Sequence, residues 1–309
     1  MVAFYFALAF AGEQLQQLKQ SEHRADHAAW TTYRVHYGLP AQAARHRVEY
    51  LSWRGYRLVG QRFMPREKPR GTVHLVHGYL DHTGLQWPII KALNDAGYVV
   101  RSIDLPGHGL SQGPRAHINA MDHYTEVLGL WLEGQARPLR FVAHSMGGAV
   151  VMQAMRQQML APSDRVVLIA PLVRWSSWWL TAFAQRAFGW MLRSLNRRVQ
   201  PTSSDEAYVK LRRNDPLLIT RIPLSWPRAM RHWANHFVNQ TGLSHRPIIL
   251  QGRRDKIVDW RANHALIEQI FPAARFHFFK RGRHHLQGES PQIRKKALRM
   301  LIEGIQGGP

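Results

Sequence analysis

The chain has 309 residues, a formal net charge of +22 and no cysteine. This length accommodates one large domain with an insertion, and the lack of cysteine excludes disulfides and thiolate metal sites. The basic residues comprise 34 arginines and 8 lysines, and this excess of positive charge favours an anionic partner. The basic residues are spread along the chain, and no nucleic-acid-binding motif accompanies them. A membrane surface as partner, or a compositional bias without function, is therefore favoured over nucleic acid.

The first 45 residues form a lead-in ahead of the regular pattern. Residues 1–11 are apolar and end in Ala9-Phe10-Ala11, which resembles a signal-peptidase site, but no basic segment precedes them and the stretch is too short to span a bilayer. A weak signal, a membrane-dipping tail and an unstructured start all stay open. Residues 13–45 are expected to be helical or partly disordered. We expect a cytoplasmic protein, peripheral at the inner membrane, with secretion through a weak signal as the alternative.

Apolar runs separated by helical patterns follow. The first two, joined by Arg54-Gly55, predict an antiparallel hairpin. The later runs alternate with helical segments such as Trp260–Ile270, which predicts a mostly parallel sheet covered by helices on both faces. The predicted strands are Val48–Trp53, Tyr56–Phe63, Thr72–Val76, Tyr98–Ile103, Arg140–Ala143, Arg165–Ile169, Ile248–Leu250 and Arg275–Phe279.

A serine stands between a predicted strand and a helix-forming segment in Phe141–Val150. The pattern small-x-Ser-x-Gly at this place is typical of a nucleophile elbow, a sharp turn that exposes the serine hydroxyl. Such a turn crowds the backbone, and Ala143, Gly147 and Gly148 supply the small neighbours that it needs. Ser145 is therefore the predicted nucleophile, at the positive end of the next helix. Taken alone, the motif leaves an ordinary helix cap open as the less favoured alternative.

A carboxylate and a histidine follow Ser145 in the order that this architecture requires, each just after a later strand. Asp255 comes after the apolar run Pro247–Gly252, and His284 and His285 come after Arg275–Phe279. Asp255 is predicted to orient the base. Two adjacent histidines leave the base open, because neighbours on an extended loop point in opposite directions.

An oxyanion hole has a candidate in the loop that follows the strand Thr72–Val76. Holes of this type combine the backbone N–H after the nucleophile with an N–H from an early strand-to-helix loop. These groups are the amides of Met146 and Tyr79. Gly78 lets the loop approach closely, and His77 is expected to order the loop.

Neither a metal nor a cofactor is predicted. The chain has no glycine-rich phosphate loop and no zincin helix. Two histidine pairs have helical i, i+4 spacing, but no third ligand accompanies either pair. They are His23 with His27 and His232 with His236.

Residues 172–245 interrupt the alternation of strands and helices, and are predicted to be a helical insertion on the face that carries the site. Ten arginines lie here against three acidic residues, together with six of the eleven tryptophans. A cap with its own tryptophan core and an interfacial lid, with aromatic anchors and arginines for phosphate, fit equally well. The candidate substrate or lid residues are Arg174, Trp175, Trp178 and Trp179; the remaining tryptophans are Trp190, Trp226 and Trp233.

Five motifs together resemble the α/β-hydrolase group that contains monoacylglycerol lipases and bacterial lysophospholipases. They occur in order at His77–Gly84, Asp104–Gly113, Ala143–Gly148, Gly252–Asp255 and Arg283–Glu289, and the resemblance extends from about Val48 to Ile305. It implies an α/β-hydrolase core at 46–171 and 246–309 with a helical cap at 172–245.

The same resemblance aligns His284 with the catalytic histidine of the group and Glu289 with its trailing glutamate; His285 remains the alternative base. The chain departs from the pattern in three places. Ala143 replaces the first elbow glycine, Arg281 stands where glycine is usual, and Asp81 stands where glutamate is frequent.

Residues and resemblance together predict a serine ester hydrolase that releases fatty acid from a monoacyl lipid through an acyl-enzyme. The arginines of the insertion favour lysophospholipid, with monoacylglycerol next. A small-molecule carboxylesterase or an amidase remains open, because one triad serves many leaving groups. A membrane- or partner-binding protein is disfavoured, since a binding module has no need of all three triad residues. Oligomeric state and acyl-chain length stay open.

Overall fold

An eight-stranded sheet forms the centre of the structure, a computed structural model that describes Glu13, Leu18 and residues 27–39, 45–188, 194–197, 200–239 and 241–307. The strands, in chain order, are β1 (His46–Trp53), β2 (Tyr56–Phe63), β3 (Thr72–Val76), β4 (Val99–Ile103), β5 (Arg140–His144), β6 (Arg165–Ile169), β7 (Ser194–Asn196), β8 (Arg221–Pro223), β9 (Ile248–Gly252) and β10 (Arg275–Phe279). The order in the large sheet is β1-β2-β4-β3-β5-β6-β9-β10.

The sheet is antiparallel at one edge and parallel elsewhere. β1 and β2 form the predicted hairpin, with Trp53 opposite Tyr56. The two turn residues, Arg54 and Gly55, have φ of 48° and 78°, the left-handed conformations that a tight hairpin turn needs. β2 pairs with β4 in the antiparallel sense, and all the remaining pairings of this large sheet are parallel.

Helices cover both faces of the sheet. Because successive side chains of a strand point to opposite faces, the buried neighbours Phe141 and Val142 belong to different apolar clusters. The helices are α1 (His27–Tyr37), α2 (Trp87–Asp95), α3 (Asp122–Leu132), α4 (Met146–Arg156), α5 (Trp178–Phe188), α6 (Glu206–Arg213), α7 (Ser225–Phe237), α8 (Trp260–Ile270) and α9 (Pro291–Gln306). α3, α4, α7 and α8 pack in the first cluster, which contains Phe141, and α1, α2 and α9 pack in the second, which contains Val142.

The predicted fold class is confirmed. The sheet is mostly parallel and covered on both faces, and α8 has the bounds expected from its apolar pattern. The parallel strands direct their carboxyl ends to one edge, which is where ligand sites of open α/β sheets lie.

Residues 172–245, the segment predicted to be an insertion and called the inserted segment from this point, lie between β6 and β9. Within its described part, the segment contains α5, α6 and α7 and also the two short strands β7 and β8, which pair in the antiparallel sense. The expectation of a helical segment did not include this small sheet, because three-residue strands are too short to show a period of two. Trp190 lies outside the described residues.

The lead-in is described mainly through α1, within the stretch expected to be helical or disordered. Its buried Tyr33 and Tyr37 pack in the second apolar cluster. Residues 1–11, with the signal-like Ala9–Ala11, lie outside the described part of the chain. Among the described residues, no helix combines the length and apolar character required to cross a membrane.

Candidate active site

Ser145 occupies the turn between β5 and α4 in a backbone conformation that is rare for residues other than glycine. Its φ is 51° and its ψ is −115°, and such strain persists only where the surroundings enforce it. The Ser145 N–H donates to the carbonyl of Ile169, and the Ser145 carbonyl accepts from the N–H groups of Gly148 and Leu172, all within 3.0 Å. The turn is therefore fixed on both sides by the sheet and the next helix.

The small residues around Ser145 are required by their neighbours. A Cβ on Gly147 would lie 2.4 Å from the carbonyl oxygen of Val76, and a Cβ on Gly148 would lie 3.0 Å from Pro171 Cβ. At 2.4 Å two heavy atoms overlap, and both are held by backbone, so a side chain at 147 would have to displace α4 from β3. This explains the Gly-Gly pair in the elbow.

Asp255 lies in the loop after β9, where its carboxylate is enclosed by donors. Oδ1 accepts from the backbone N–H groups of Ile257 (2.8 Å) and Val258 (3.2 Å), and Oδ2 accepts from the Gln251 amide (3.2 Å). Burial raises the pKa of Asp255, but His284 and the backbone N–H groups of Ile257 and Val258 together lower it below its ordinary value. The group is thus held as a carboxylate.

His284 lies in the loop after β10 and donates from Nδ1 to Asp255 Oδ2 at 2.8 Å. Its backbone carbonyl accepts from Nε2 of His144, the residue before Ser145, at 3.2 Å, and the two imidazole rings have centroids 4.8 Å apart. Because Nδ1 carries the proton in this pair, Nε2 of His284 is left as the basic nitrogen. The loop thus brings the Asp255–His284 pair against the elbow.

Glu289 holds the histidine loop in place. This residue is fully buried, and its carboxylate accepts from the backbone N–H of Arg283 at 2.8 Å and from that of Ser204 at 3.1 Å. The glutamate in the motif therefore fixes the backbone next to His284.

The side chain of His285 points toward Asp81 and not toward Asp255. Its Nε2 lies 3.9 Å from Asp81 Oδ2, and its ring lies near Tyr208. Burial, and then the charge of Arg212, lowers its pKa well below the ordinary value. The structure thus pairs His284, and not His285, with Asp255, as expected for neighbours on an extended loop.

The Tyr79 loop, residues 77–82, passes directly over the elbow. A Cβ on Gly78 would lie 3.2 Å from Cβ of Ser145, so only glycine allows this approach. His77 orders the loop as expected: its Nδ1 donates to the carbonyl of Gly78 at 2.8 Å, and its Nε2 accepts from the N–H of Leu105 at 2.9 Å. His77 and Gly78 thereby lie beside the start of α4, where Met146 is the first residue, and Tyr79 follows them in the loop.

Asp81 belongs to a buried charged cluster that the sequence did not reveal. Its Oδ1 lies 3.3 Å from Nη1 of Arg212, and its Oδ2 lies 3.8 Å from Nδ1 of His144. Burial, and then the charge of His284, lowers the pKa of His144 to about 3, so this imidazole is neutral. Arg212 comes from α6, 131 residues further along the chain, and no local pattern could have indicated it.

Asp81, His144 and His285 are the one group of three potential metal ligands within the described ranges. However, the carboxylate of Asp81 already accepts from Gln86 Nε2 at 2.6 Å and faces the guanidinium of Arg212. A divalent cation at this point would lie against that positive charge. The cluster therefore fits an internal ion pair better than a metal centre.

The predicted lid residues fall into two groups. Trp178 is buried and Trp175 is half-buried, with ring centroids 4.4 Å apart, whereas Trp179 is exposed. The guanidinium of Arg174 lies over the rings of Trp178 and Trp179 at 5.9 and 5.5 Å. Trp226, which was not among the predicted site residues, stacks on Tyr79 with centroids 3.6 Å apart, so an indole from α7 packs on the loop over the elbow.

The strand order and the position of the elbow serine after β5 are those of an α/β hydrolase. The chain belongs to the family described as Hydrolase_4, serine aminopeptidase S33, whose model matches residues 67–291.

Two curated relatives are similar to parts of the chain. A monoacylglycerol lipase of Mycolicibacterium smegmatis is 34% identical over 102 residues, 31% of this chain and 36% of the relative. A phospholipase of Bacillus subtilis is 23% identical over 210 residues, 62% of this chain and 79% of the relative. The chain thus spans about a third of the first relative's length.

Two solved structures show the same fold. A soluble variant of the monoglyceride lipase of Saccharomyces cerevisiae, bound to a substrate analogue, has a TM-score of 0.76 at 17% identity, covering 88% of this chain and 99% of that chain. A monoacylglycerol lipase of Paleococcus ferrophilus has a TM-score of 0.68 at 21% identity, covering 80% and 99%.

Proposed function

We propose that this protein is a serine ester hydrolase that releases fatty acid from a monoacyl lipid. The observation that carries the proposal is the hydrogen bond between Asp255 and His284, held against the elbow that bears Ser145. The family and the two lipid-ester-hydrolysing relatives support it. A module that only binds lipid would need neither the strained serine nor the carboxylate–histidine pair.

The chemistry assigns one role to each group. The Ser145 hydroxyl attacks the ester carbonyl while Nε2 of His284 takes its proton, and Asp255 stabilises the resulting imidazolium. The backbone N–H groups of Tyr79 and Met146 stabilise the oxyanion. Collapse of the tetrahedral intermediate expels the alcohol, which receives the proton from His284. Water then attacks the acyl-enzyme by the same route and releases the fatty acid.

Within monoacyl lipids, lysophospholipid is the favoured substrate and monoacylglycerol is the alternative. The arginines of the inserted segment support this order, because a guanidinium binds phosphate through two hydrogen bonds. The guanidinium of Arg174 lies 5.5 Å from the ring of the exposed Trp179, so a cation and an aromatic side chain lie side by side in this segment. A small-molecule carboxylesterase remains the next candidate.

A contact with anionic membrane is the second part of the proposal. Trp179, Leu180 and Phe183 on α5 are 72%, 70% and 69% exposed, and their spacing places them on one side of the helix. Aromatic and aliphatic side chains flanked by arginine are typical of helices that lie in a membrane interface. These exposed side chains support a peripheral contact with a membrane surface, and the cytoplasmic side belongs to the same proposal.

Fatty-acid release from lysophospholipid and from monoacylglycerol, measured side by side, tests the function. We expect release by the wild-type protein and loss of turnover in Ser145→Ala, with Ser176→Ala, an exposed serine of the inserted segment, as the matched control. Faster release from lysophospholipid supports the proposed preference, and faster release from monoacylglycerol overturns it. If neither substrate gives release that depends on Ser145, the hydrolase proposal is wrong.

A further inference from the structure

The Tyr79 loop is held in a conformation that it would not keep by itself. Leu80 has a φ of 58°, a left-handed conformation that is unfavourable for a residue with a branched side chain. Gly78 in the same loop comes so near the elbow that an added Cβ would lie 3.2 Å from Cβ of Ser145. A small relaxation of Leu80 would therefore move the backbone that lies over the nucleophile.

Asp81 is the side chain of this loop that ties it to the protein interior. It is 1% exposed, and its carboxylate accepts from the backbone N–H of His82 at 3.0 Å and from Gln86 Nε2 at 2.6 Å. A buried carboxylate is costly unless a cation compensates it. The guanidinium of Arg212, itself 6% exposed, supplies that charge at 3.3 Å.

Arg212 stands on a firmly anchored helix. The N-cap residue of α6, Asp205, accepts from the backbone N–H of Tyr208 at 3.1 Å and from Arg294 of α9 at 3.1 Å. The ring of Tyr208 packs against His285 and lies beneath the Arg212 guanidinium. Arg212 therefore presents its charge to Asp81 from a fixed position.

We propose that Arg212, supplied by the inserted segment, is a positioning residue that holds the Tyr79 loop over Ser145 through Asp81. The catalytic meaning of this inference rests on the proposed hydrolase function, whereas its structural part does not. Without the guanidinium, burial favours the neutral form of Asp81, the carboxylate loses its partner, and Leu80 relaxes. The loop then no longer presents the Tyr79 N–H at a fixed distance from the reacting carbon.

The test compares Arg212→Met with Arg213→Met, the exposed neighbour on the same helix. We expect Arg212→Met to lower kcat about 10- to 100-fold, because a displacement of about 1 Å at a reacting centre costs that much, with KM changed less than about twofold. Hydrogen exchange in a peptide covering residues 77–86 should become faster. Arg212→Lys should recover part of both properties, and Arg213→Met should change neither.

Two results separate this inference from the hydrolase proposal. If the wild-type protein shows no hydrolysis that depends on Ser145, the proposed function fails, and the exchange of residues 77–86 still decides the positioning role. If Arg212→Met leaves that exchange and kcat unchanged, the inference is wrong. If Arg212→Met does not fold, Asp81→Asn removes the same ion pair without creating a cavity. This variant should show faster hydrogen exchange in residues 77–86 and a lower kcat. If neither quantity changes in Asp81→Asn, the inference is wrong.

Discussion

Asp255 Oδ2 accepts a hydrogen bond from His284 Nδ1 at 2.8 Å, although 29 residues separate them along the chain. The two residues follow adjacent parallel strands, β9 and β10, which bring their loops to the same edge of the sheet. The bond fixes the histidine tautomer, so that the other ring nitrogen can accept a proton.

Replacing Asp255 with Asn should disable the enzyme while leaving it folded. An amide at this place can favour the wrong tautomer of His284, and in the serine proteases the equivalent change lowers kcat by about 10⁴-fold. We expect a loss of kcat of that order with a melting temperature within a few degrees of wild type. Steady-state kinetics and thermal unfolding measure both. Retention of more than a tenth of the activity would contradict the role given to Asp255.

Adding one methyl group at Gly147 should destabilise the fold. The new Cβ would overlap the carbonyl oxygens of Val76 and His77, at 2.4 and 2.6 Å, and overpacking of this kind typically costs about 1–3 kcal/mol. Gly129→Ala is the control, because there the added Cβ meets only the flexible end of Met159 at 3.1 Å. In urea unfolding, Gly147→Ala should have a lower free energy of unfolding than the wild type, and Gly129→Ala should have the same or a higher one. Equal free energies of unfolding for the two variants would refute the predicted steric overlap.

The buried pair of His82 and Asp215 should make stability depend on pH. The two side chains are 2.8 Å apart, and Tyr37 donates to the same carboxylate at 2.7 Å. Burial alone would raise the pKa of Asp215, but His82 and these hydrogen bonds lower it from 3.8 to about 2. Burial alone would lower the pKa of His82, but the carboxylate raises it above 6.5.

Asp215 therefore adds stability above pH 3.8 that is lost as the pH falls toward 2, and His82 adds stability below pH 6.5 that is lost as the pH rises through its raised pKa. The shift of Asp215 corresponds to about 2 kcal/mol. We expect the melting temperature of Asp215→Asn to fall furthest below that of wild type between pH 3.8 and 6.5. If the difference in melting temperature between the wild type and Asp215→Asn is constant from pH 3 to 9, the pair does not titrate as described.

Removing the exposed apolar side chains of α5 should weaken membrane binding and spare the chemistry. We expect the triple variant Trp179→Ser, Leu180→Ser, Phe183→Ser to lose most of its binding to anionic vesicles in a sedimentation assay, while its turnover of a short, water-soluble ester stays within about twofold of wild type. The control is Val35→Ser, which removes an equally exposed apolar side chain from α1. Vesicle binding that is unchanged in the triple variant would disprove the membrane contact.

The sequence predicts those parts of the molecule that depend on local pattern. The strands, the elbow and the order of Ser145, Asp255 and His284 follow from apolar runs and from the turns that end them. The contacts of the inserted segment do not follow, because they join distant residues through packing. Tyr37 and Asp215 are 178 residues apart, and the stacking of Trp226 on Tyr79 depends on how α7 lies over the core.

The six tryptophans of the inserted segment show why composition could not decide between a packed cap and an interfacial lid. Trp178, Trp226 and Trp233 are buried in the first apolar cluster, whereas Trp179 is exposed on α5. The buried tryptophans pack in the protein interior, whereas Trp179 is the one of these four that a membrane contact could use, and that contact stays a proposal.

Trapping the acyl-enzyme is the most direct test of the proposed role of Ser145. A medium-chain 4-nitrophenyl ester would be mixed with the protein, the reaction quenched in acid within the first turnover, and the peptides analysed by mass spectrometry. We expect the acyl mass on the peptide that contains Ser145 in the wild-type protein and no adduct in Ser145→Ala. Hydrolysis that persists in Ser145→Ala, or an acyl group on another residue, would contradict that role.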